Sequence, residues 1–345
     1  MSLKLKFAAV VALLISLVLG QEIAKAADAA APVTLVVGVQ PSMNDIWAGV
    51  AAGAFERNGV KLEFQTFSSG PAMFAALQGG AVQMGIGGMT TFYVARANGQ
   101  KISWIATTGN LNQSDACMVG PNSSVKSPKD LAGKRIGFVN NSVVNGPVLE
   151  VLEANGIAKS DVTLMNLQPP AATAALLAGD LDVACLWAPF TFQIESRGGK
   201  RLFYMGDTPS GGWGVSGYAV STAWAEAHPD AVVGFLRALA EGQQAYAKNK
   251  QPAIDAVAKA TGIAPDLAKK QSEELPFFAV SDSATPGARV SMCGAASGQG
   301  LGKILDRASK FFIQAGTLKE RLPYDQFLAP AYAVKAFRGP KCTVD

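Results

Sequence analysis

The stretch from Asn166 to Pro189 constrains the fold of this chain more than any other part of the sequence. Pro169 and Pro170 are followed by a short run of small apolar residues, then by Gly179 and a second apolar run that ends at Trp187. Proline favours the first helical turn and glycine the position after the last one, so the stretch predicts a strand, a short helix and a second strand. The helix start and the end of the second strand would share the carboxyl edge of a parallel sheet, where open α/β folds bind ligands. No side chain of the stretch stands in a pattern typical of catalysis, and the stretch therefore predicts a neutral pocket for a small molecule.

The first residues of the chain have the order of a secretory signal. Lys4 and Lys6 precede an apolar core from 7 to 19, and small residues follow at 24–26, which predicts cleavage near Ala26/Ala27 and export to the periplasm. The apolar core is shorter than a membrane-spanning helix requires. We therefore expect a mature protein that does not span the membrane.

Composition excludes several classes of function. Of the net charge of +4, the three lysines and one glutamate of the leader account for two, so the mature part is close to neutral. Its basic residues are scattered, which argues against a nucleic-acid surface. His228 is the only histidine and the four cysteines are widely spaced, so we expect neither a metal site nor a cofactor.

Strands and helices alternate along most of the chain, which predicts an α/β fold with parallel sheets covered by helices. Two sets of strands are predicted, each with its own sheet, and the last third of the chain is mostly helical. The first set is Val33–Val39, Lys61–Thr66, Val82–Ile86 and Ile102–Thr107; the second is Ala116–Val119, Arg135–Val139, Val162–Met165, Val183–Trp187 and Tyr218–Ser221.

Several short motifs occur in a fixed order between Val33 and Ser221. They are Phe67–Gly70, Ala76–Gly85, Asp130–Ile136, Asn166–Ala171, Gly179–Asp182, Trp187–Pro189 and Gly212–Gly214. Each motif is weak alone, but as an ordered set they resemble the nitrate, sulfonate and taurine solute-binding family of ABC importers.

The resemblance implies a two-lobe periplasmic binding protein of the type II kind, with a mostly parallel sheet in each lobe. Lobe one would comprise residues 33–112 and 222–345, and lobe two residues 113–221, with the ligand trapped by hinge closure. It also implies a small organic anion as ligand, a cognate permease and its ATPase as partners, and no catalytic role; a monomer is expected. Two alternatives stay open: an enzyme or precursor-binding protein of thiamine-pyrimidine synthesis with a related fold, and a ligand-sensing receptor domain without transport.

One departure from the family concerns the amine end of the ligand. In taurine-binding members an aspartate follows the Gly-Trp-Gly segment by a few residues, whereas here Gly214 is followed by Val215 to Tyr218 with no carboxylate. The resemblance therefore implies a sulfonate or amino-sulfonate and leaves taurine itself open.

The segments predicted at the sheet edges contain neither Lys nor Arg; they are 40–47, 68–73, 87–91, 109–115, 140–147, 168–171, 187–190 and 212–217. An anion would then be held by backbone N–H groups at helix N-termini and by neutral side chains. The candidate ligand-binding residues are Gln40, Asn44, Asp45, Ser69, Gly70, Met89, Thr90, Asp115, Asn141, Ser142, Gln168, Trp187 and Trp213.

Simpler structural roles compete with ligand contact at each of these positions. Ser and Asn side chains commonly cap helices, and Trp213 could equally pack in a core. Asp45 and Asp115 are the carboxylates of the edge segments; helix capping for the first and a hinge hydrogen bond for the second are the favoured interpretations, with contact to a ligand amine as the alternative.

The lobe assignment places Cys293 and Cys342 together in lobe one. In an exported chain we expect these two thiols to form a disulfide. The state of Cys117 and Cys185, which both fall in lobe two, is left open.

Overall fold

The computed structural model describes residues 31–209, 211 and 214–345. The predicted leader and its cleavage site lie outside the described residues, and so do Gly212 and Trp213. The strands of the described residues are β1 (Val33–Val39), β2 (Val60–Thr66), β3 (Met84–Gly88), β4 (Ile102–Asn110), β5 (Ala116–Val119), β6 (Arg135–Phe138), β7 (Thr163–Asn166), β8 (Val183–Leu186), β9 (Lys200–Tyr204) and β10 (Val215–Ser221).

Helices cover both sheets and make up most of the chain after β10. They are α1 (Ile46–Ala51), α2 (Ala54–Arg57), α3 (Gly70–Gln78), α4 (Met89–Ala97), α5 (Asn145–Ala154), α6 (Pro169–Ala178), α7 (Phe190–Ser196), α8 (Thr222–Ala227), α9 (Pro229–Lys248), α10 (Gln251–Thr261), α11 (Pro265–Glu274), α12 (Gly302–Gln314) and α13 (Pro330–Phe337). The last helix begins at Pro330, as expected for proline, which is tolerated in the first helical turn and interrupts a helix interior.

The strands form two mixed five-stranded sheets. The first has the order β2-β1-β3-β10-β4, and the second β7-β6-β8-β5-β9. In the first, β1 runs parallel to β3, while β10 runs antiparallel to both of its neighbours. In the second, β6 runs parallel to β7 and β8, while β5 runs antiparallel to β8 and β9. We call the first sheet with its helices lobe one and the second lobe two.

The two-lobe α/β fold predicted from the sequence is confirmed, but one strand was assigned to the wrong sheet. Residues Tyr218–Ser221 were predicted in lobe two, whereas β10 pairs with β3 and β4 of lobe one. Strand β9, at the edge of the second sheet, was not predicted. The chain therefore leaves the first sheet after Asn110 and returns to it at Val215. The limits of lobe two, residues 113–221, stay a prediction; the position of β10 would make that lobe end before Val215.

The stretch from Asn166 to Pro189 folds as its sequence predicts. Strand β7 leads into α6, whose first turn contains Pro169 and Pro170, and Gly179 ends the helix in the left-handed conformation with φ of 84°. Strand β8 then ends at Leu186, and the Ala188–Pro189 peptide is cis. The residues from Trp187 onward therefore lie at the carboxyl edge of the second sheet.

All four cysteines are paired. Cys293 and Cys342 are joined by a disulfide with Cα atoms 5.0 Å apart, and Cys117 is joined to Cys185 on the neighbouring strand. Within the described ranges, no helix combines the length and apolar character needed to cross a bilayer.

Candidate functional site

A cavity lies where the carboxyl edges of the two sheets face each other. Lobe one contributes residues from five segments: 40–44, Gly70, 86–91, 109–111 and Ser216. Lobe two and the crossover into it contribute Ser114, Asp115, Ser142, Val143, Trp187 and Ala188, and the segment Leu275–Phe277 completes the wall. This is the edge at which α/β folds bind small molecules.

The lobes touch each other around this cavity. The Oγ of Ser68 in lobe one donates a 3.1 Å hydrogen bond to Oε1 of Gln168 in lobe two. At Gly88 the approach is so close that an added Cβ would lie 3.0 Å from Cβ of Val143. Glycine at this position therefore allows lobe two to close onto the end of β3.

Polar atoms without partners are concentrated at the cavity. In the described part of the chain, buried atoms that lack a hydrogen-bond partner include Gln40 Oε1, Asp115 Oδ2, Ser142 Oγ and Trp187 Nε1, all on residues of the cavity wall. Ser69 Oγ and Thr90 Oγ1 share this condition one residue away from the wall residues Gly70 and Thr91. We call these six the unpaired cavity atoms. Buried polar groups are normally hydrogen-bonded, so such a cluster indicates a surface that pairs with a ligand.

In the described part of the chain, three helices begin at the cavity, two in lobe one and one in lobe two. Helix α3 begins at Gly70, α4 follows Gly88, and α5 follows Ser142 and Val143. For α3 and α4, neither N-cap residue supplies a side-chain hydrogen bond, and Ser69 therefore does not act as the cap that its position suggested. Free N–H groups at helix N-termini carry a partial positive charge and favour an anion.

Asp115 is the one charged residue of the cavity wall within the described ranges. It is fully buried just before β5, and its Oδ1 accepts a 2.6 Å hydrogen bond from the Ser114 hydroxyl. Burial raises the pKa of Asp115 to about 7, against the lowering effect of that hydrogen bond. A cation near Oδ2 would favour the ionised carboxylate and would itself lose less from leaving water.

Asp45 has a different environment although the sequence places it at a similar edge. It does not line the cavity, and its carboxylate accepts hydrogen bonds from Tyr218, Thr108 and Gln243 at 2.5, 3.0 and 2.9 Å. Burial raises the pKa of Asp45, and the three hydrogen bonds partly oppose the shift. The carboxylate therefore ties α1, β4, β10 and α9 together behind the cavity wall.

The other candidate residues divide into three groups. Gln40, Asn44, Gly70, Ser142 and Trp187 line the cavity together with Asp115. Met89 is buried at the start of α4, while Asn141 and Gln168 are exposed and do not line the cavity. Trp213 lies outside the described residues.

The sequence interpretation missed the segment Leu275–Phe277. It follows α11, and Phe277 reaches the first sheet through an isolated bridge to Gly109, while the N–H of Phe278 donates a hydrogen bond to the Thr108 carbonyl. The signal available in the sequence was Pro276 beside two large apolar residues in a region otherwise predicted as helix.

Comparison with protein families and individual sequences gives one family. The family model described as NMT1/THI5 like matches residues 40–253. The taurine-binding periplasmic protein of Escherichia coli K12 is 32% identical over 241 residues, which cover 67% of this chain and 74% of that protein.

Solved structures with the same fold include binding proteins and an enzyme. The alkanesulfonate-binding protein SsuA of Xanthomonas axonopodis pv. citri, bound to MOPS, has a TM-score of 0.71 at 20% identity and covers 87% of this chain and 99% of that one. The desulfurization enzyme DSZB has a TM-score of 0.63 at 16% identity and covers 89% and 99%. At these identities both likenesses show the fold alone.

Proposed function

Since this chain belongs to the NMT1/THI5-like family, we propose that it is an extracytoplasmic solute-binding protein of an ABC importer that captures a small sulfonate or amino-sulfonate between its lobes. The observation that carries the proposal is the composition of the cavity wall. It combines neutral hydrogen-bonding groups and three helix N-termini with one buried carboxylate. Such a wall suits a small molecule with an acidic group at one end and an amine at the other.

The acidic group would be held without a cationic side chain. The Ser142 hydroxyl and the backbone N–H groups at the starts of α3, α4 and α5 can donate several directed hydrogen bonds to it. A sulfonate is ionised at any ordinary pH and needs no proton exchange with the protein. Neutral donors therefore satisfy it throughout the physiological range.

The amine would be held by Asp115 and Trp187. Oδ2 of Asp115 is one of the unpaired cavity atoms, and Trp187 offers an aromatic face that attracts ammonium groups. These two residues would replace the aspartate that taurine-binding members carry after Gly-Trp-Gly. An ammonium buried without such partners would carry a large desolvation cost.

Export, delivery to a permease and a purely binding role follow from the same proposal. The curated relative is a periplasmic binding protein, which supports a periplasmic site of action and partnership with a membrane permease and its ATPase. The enzyme among the structural neighbours shares only the fold at 16% identity. We therefore assign no reaction to the cavity.

Isothermal titration calorimetry with three probes tests the proposal: taurine, ethanesulfonate and ethylamine. The wild type should bind taurine most tightly, ethanesulfonate more weakly and ethylamine very weakly, because both ends of the molecule contribute. Asp115→Asn should weaken taurine binding by roughly 10- to 100-fold, the value of a charge-assisted hydrogen bond, and should leave ethanesulfonate binding unchanged or improved. Asp180→Asn, an exposed position in the same lobe, is the matched control and should change neither.

The outcomes separate the parts of the proposal. Binding of ethylamine alone would contradict the anion pocket. Equal affinity for taurine and ethanesulfonate would exclude Asp115 as the amine partner while keeping the sulfonate site. Binding of none of the three would reject the proposed ligand class.

A further inference from the structure

Four side chains of alternating positive and negative charge form a cluster beside the cavity, with two residues in each lobe. Lobe two contributes Glu195 at the end of α7 and Arg201 in β9, and lobe one contributes Lys270 and Glu274 in α11. The Nζ of Lys270 lies 2.7 Å from Glu195, and Nη2 of Arg201 lies 3.3 Å from Glu274. Both of these ion pairs cross from one lobe to the other.

Helix α11 belongs to lobe one through contacts of its own. The Met43 N–H donates a 2.8 Å hydrogen bond to Oε1 of Gln271, and the Tyr246 hydroxyl donates to the Ser272 carbonyl. Arg201 and Glu195 also contact each other within lobe two, at 3.1 Å. Each half of the four-charge cluster is therefore fixed to its own lobe, and only the closed arrangement brings the halves together.

An aromatic and apolar contact supports the crossing ion pairs. The Nζ of Lys270 lies 4.7 Å from the centre of the Phe192 ring, and the guanidinium of Arg201 lies 5.2 Å from it. Phe192 and Ala188 of lobe two also pack on Leu275, the residue after Glu274. This packing partly shields the charges: only 13% of the Arg201 side chain and 23% of the Glu195 side chain are exposed.

The cluster adjoins the cavity, but none of its four side chains lines it. Pro276 lines the cavity and also the groove that contains the four charges. Residues 188 and 275 line the cavity as well, so separation of the lobes at the cluster would open the cavity wall at the same place.

We propose that Arg201–Glu274 and Lys270–Glu195 form a latch between the lobes, and that these four positioning residues set ligand affinity by stabilising the closed state. In an open arrangement the crossing charges would be separated and hydrated, so their attraction contributes only to closure. A ligand enclosed by the closed lobes leaves after the latch separates. The latch therefore slows ligand dissociation and has little effect on the diffusional approach of the ligand.

The test is a double variant, Lys270→Gln with Glu274→Gln, which keeps the net charge and leaves the Arg201–Glu195 pair intact. Dissociation of taurine and of ethanesulfonate is followed by stopped-flow tryptophan fluorescence at low and high salt. We expect dissociation to be about 3- to 30-fold faster in the double variant, the combined effect of two partly exposed ion pairs. Added salt should accelerate dissociation from the wild type and have little effect on the variant.

The matched control removes an ion pair that lies within lobe one. Lys335→Gln with Asp230→Asn removes a pair at 2.8 Å, and its dissociation rate and salt dependence should equal those of the wild type. Small-angle X-ray scattering of the free proteins gives a readout that needs no ligand: the radius of gyration should be larger in the latch variant than in the wild type and the control.

The two readouts keep the latch separate from the ligand assignment. Failure of the wild type to bind either probe would count against the proposed function, and scattering alone would then decide on the latch. Dissociation rates and scattering curves equal to those of the wild type, with thermal unfolding unchanged, would overturn the latch.

Discussion

The Ser114 hydroxyl donates a 2.6 Å hydrogen bond to Oδ1 of Asp115, while Oδ2 of the same carboxyl belongs to the unpaired cavity atoms. One oxygen is thus fixed by the protein, and the other has no partner among the described residues. The same arrangement makes the carboxyl sensitive to pH, because burial disfavours its ionised form.

The first prediction concerns the pH dependence of stability. Burial raises the pKa of Asp115 from 3.8 to about 7, so between those pH values the folded chain holds a proton that the unfolded chain has released. The free energy of unfolding should therefore fall as pH rises through this interval, and the contribution of the group is most favourable below pH 4. Asp115→Asn should remove this fall. The difference in free energy of unfolding between the variant and the wild type should therefore shift in favour of the variant towards pH 8, by on the order of a few kcal/mol at most. Urea unfolding of ligand-free protein across this range measures it; parallel curves for wild type and variant would contradict the shift.

The second prediction concerns Ser142, whose buried hydroxyl is unpaired in the cavity. Ser142→Ala should leave the free protein equally stable or slightly more stable, because it removes an unsatisfied polar group. Affinity for taurine and for ethanesulfonate should fall by the same factor, roughly 3- to 10-fold, since both ligands present the same acid group. Calorimetry and thermal unfolding measure the two effects, with the exposed Ser124→Ala as control. A loss confined to taurine would place Ser142 at the amine instead.

The third prediction concerns Trp187, of which 9% is exposed, on the cavity wall. Ligand contact should shift tryptophan emission during titration, and Trp187→Phe should abolish the shift while retaining most of the affinity. Trp187→Ala should weaken taurine binding by a few kcal/mol at most, the cost of losing a buried aromatic contact. Trp224→Phe, which removes the indole that stacks on His228, is the control and should retain the emission shift. Unchanged taurine affinity in Trp187→Ala would assign Trp187 to packing.

The fourth prediction concerns the disulfide between Cys293 and Cys342. Replacing both cysteines by serine should lower the free energy of unfolding by about 4 kcal/mol, because the bond closes a loop spanning 49 residues. Neither residue lines the cavity, so affinity for taurine should be unchanged. Urea unfolding and calorimetry measure these effects, and non-reducing peptide mapping of the wild type is the direct control. Recovery of Cys342 as a free thiol from exported protein would contradict the prediction.

Local sequence patterns predicted where the strands occur better than they predicted which strands pair. Strand β10 was recognised at Tyr218–Ser221 from its apolar residues, yet its assignment to lobe two was wrong. Sheet membership depends on hydrogen bonds to β3 and β4, which lie more than a hundred residues earlier in the chain. Nothing in the strand's own sequence specifies those partners.

The same limit applies to the cavity. Asp45 and Asp115 both fall in predicted edge segments, but three donors from distant elements reach the Asp45 carboxylate. Among the described residues, the Asp115 carboxyl has one hydrogen-bond partner, the adjacent Ser114. Segment Leu275–Phe277 follows a helix and not a predicted strand, so the rule that located the other wall segments at strand ends could not find it. Edge position predicts which segments meet; the packing of remote side chains determines which of their groups remain available.

The disulfide between Cys117 and Cys185 joins strands β5 and β8, and the register between them continues through Ala116 and Leu186. One step further along this register lie Asp115 and Trp187. A covalent crosslink between the same two strands therefore lies two residues from each of the residues proposed to hold the ligand amine, and it maintains their spacing independently of lobe motion. Before oxidation the chain would contain the same side chains without that disulfide. Maturation in an oxidising compartment would then complete the recognition surface as well as stabilise the fold.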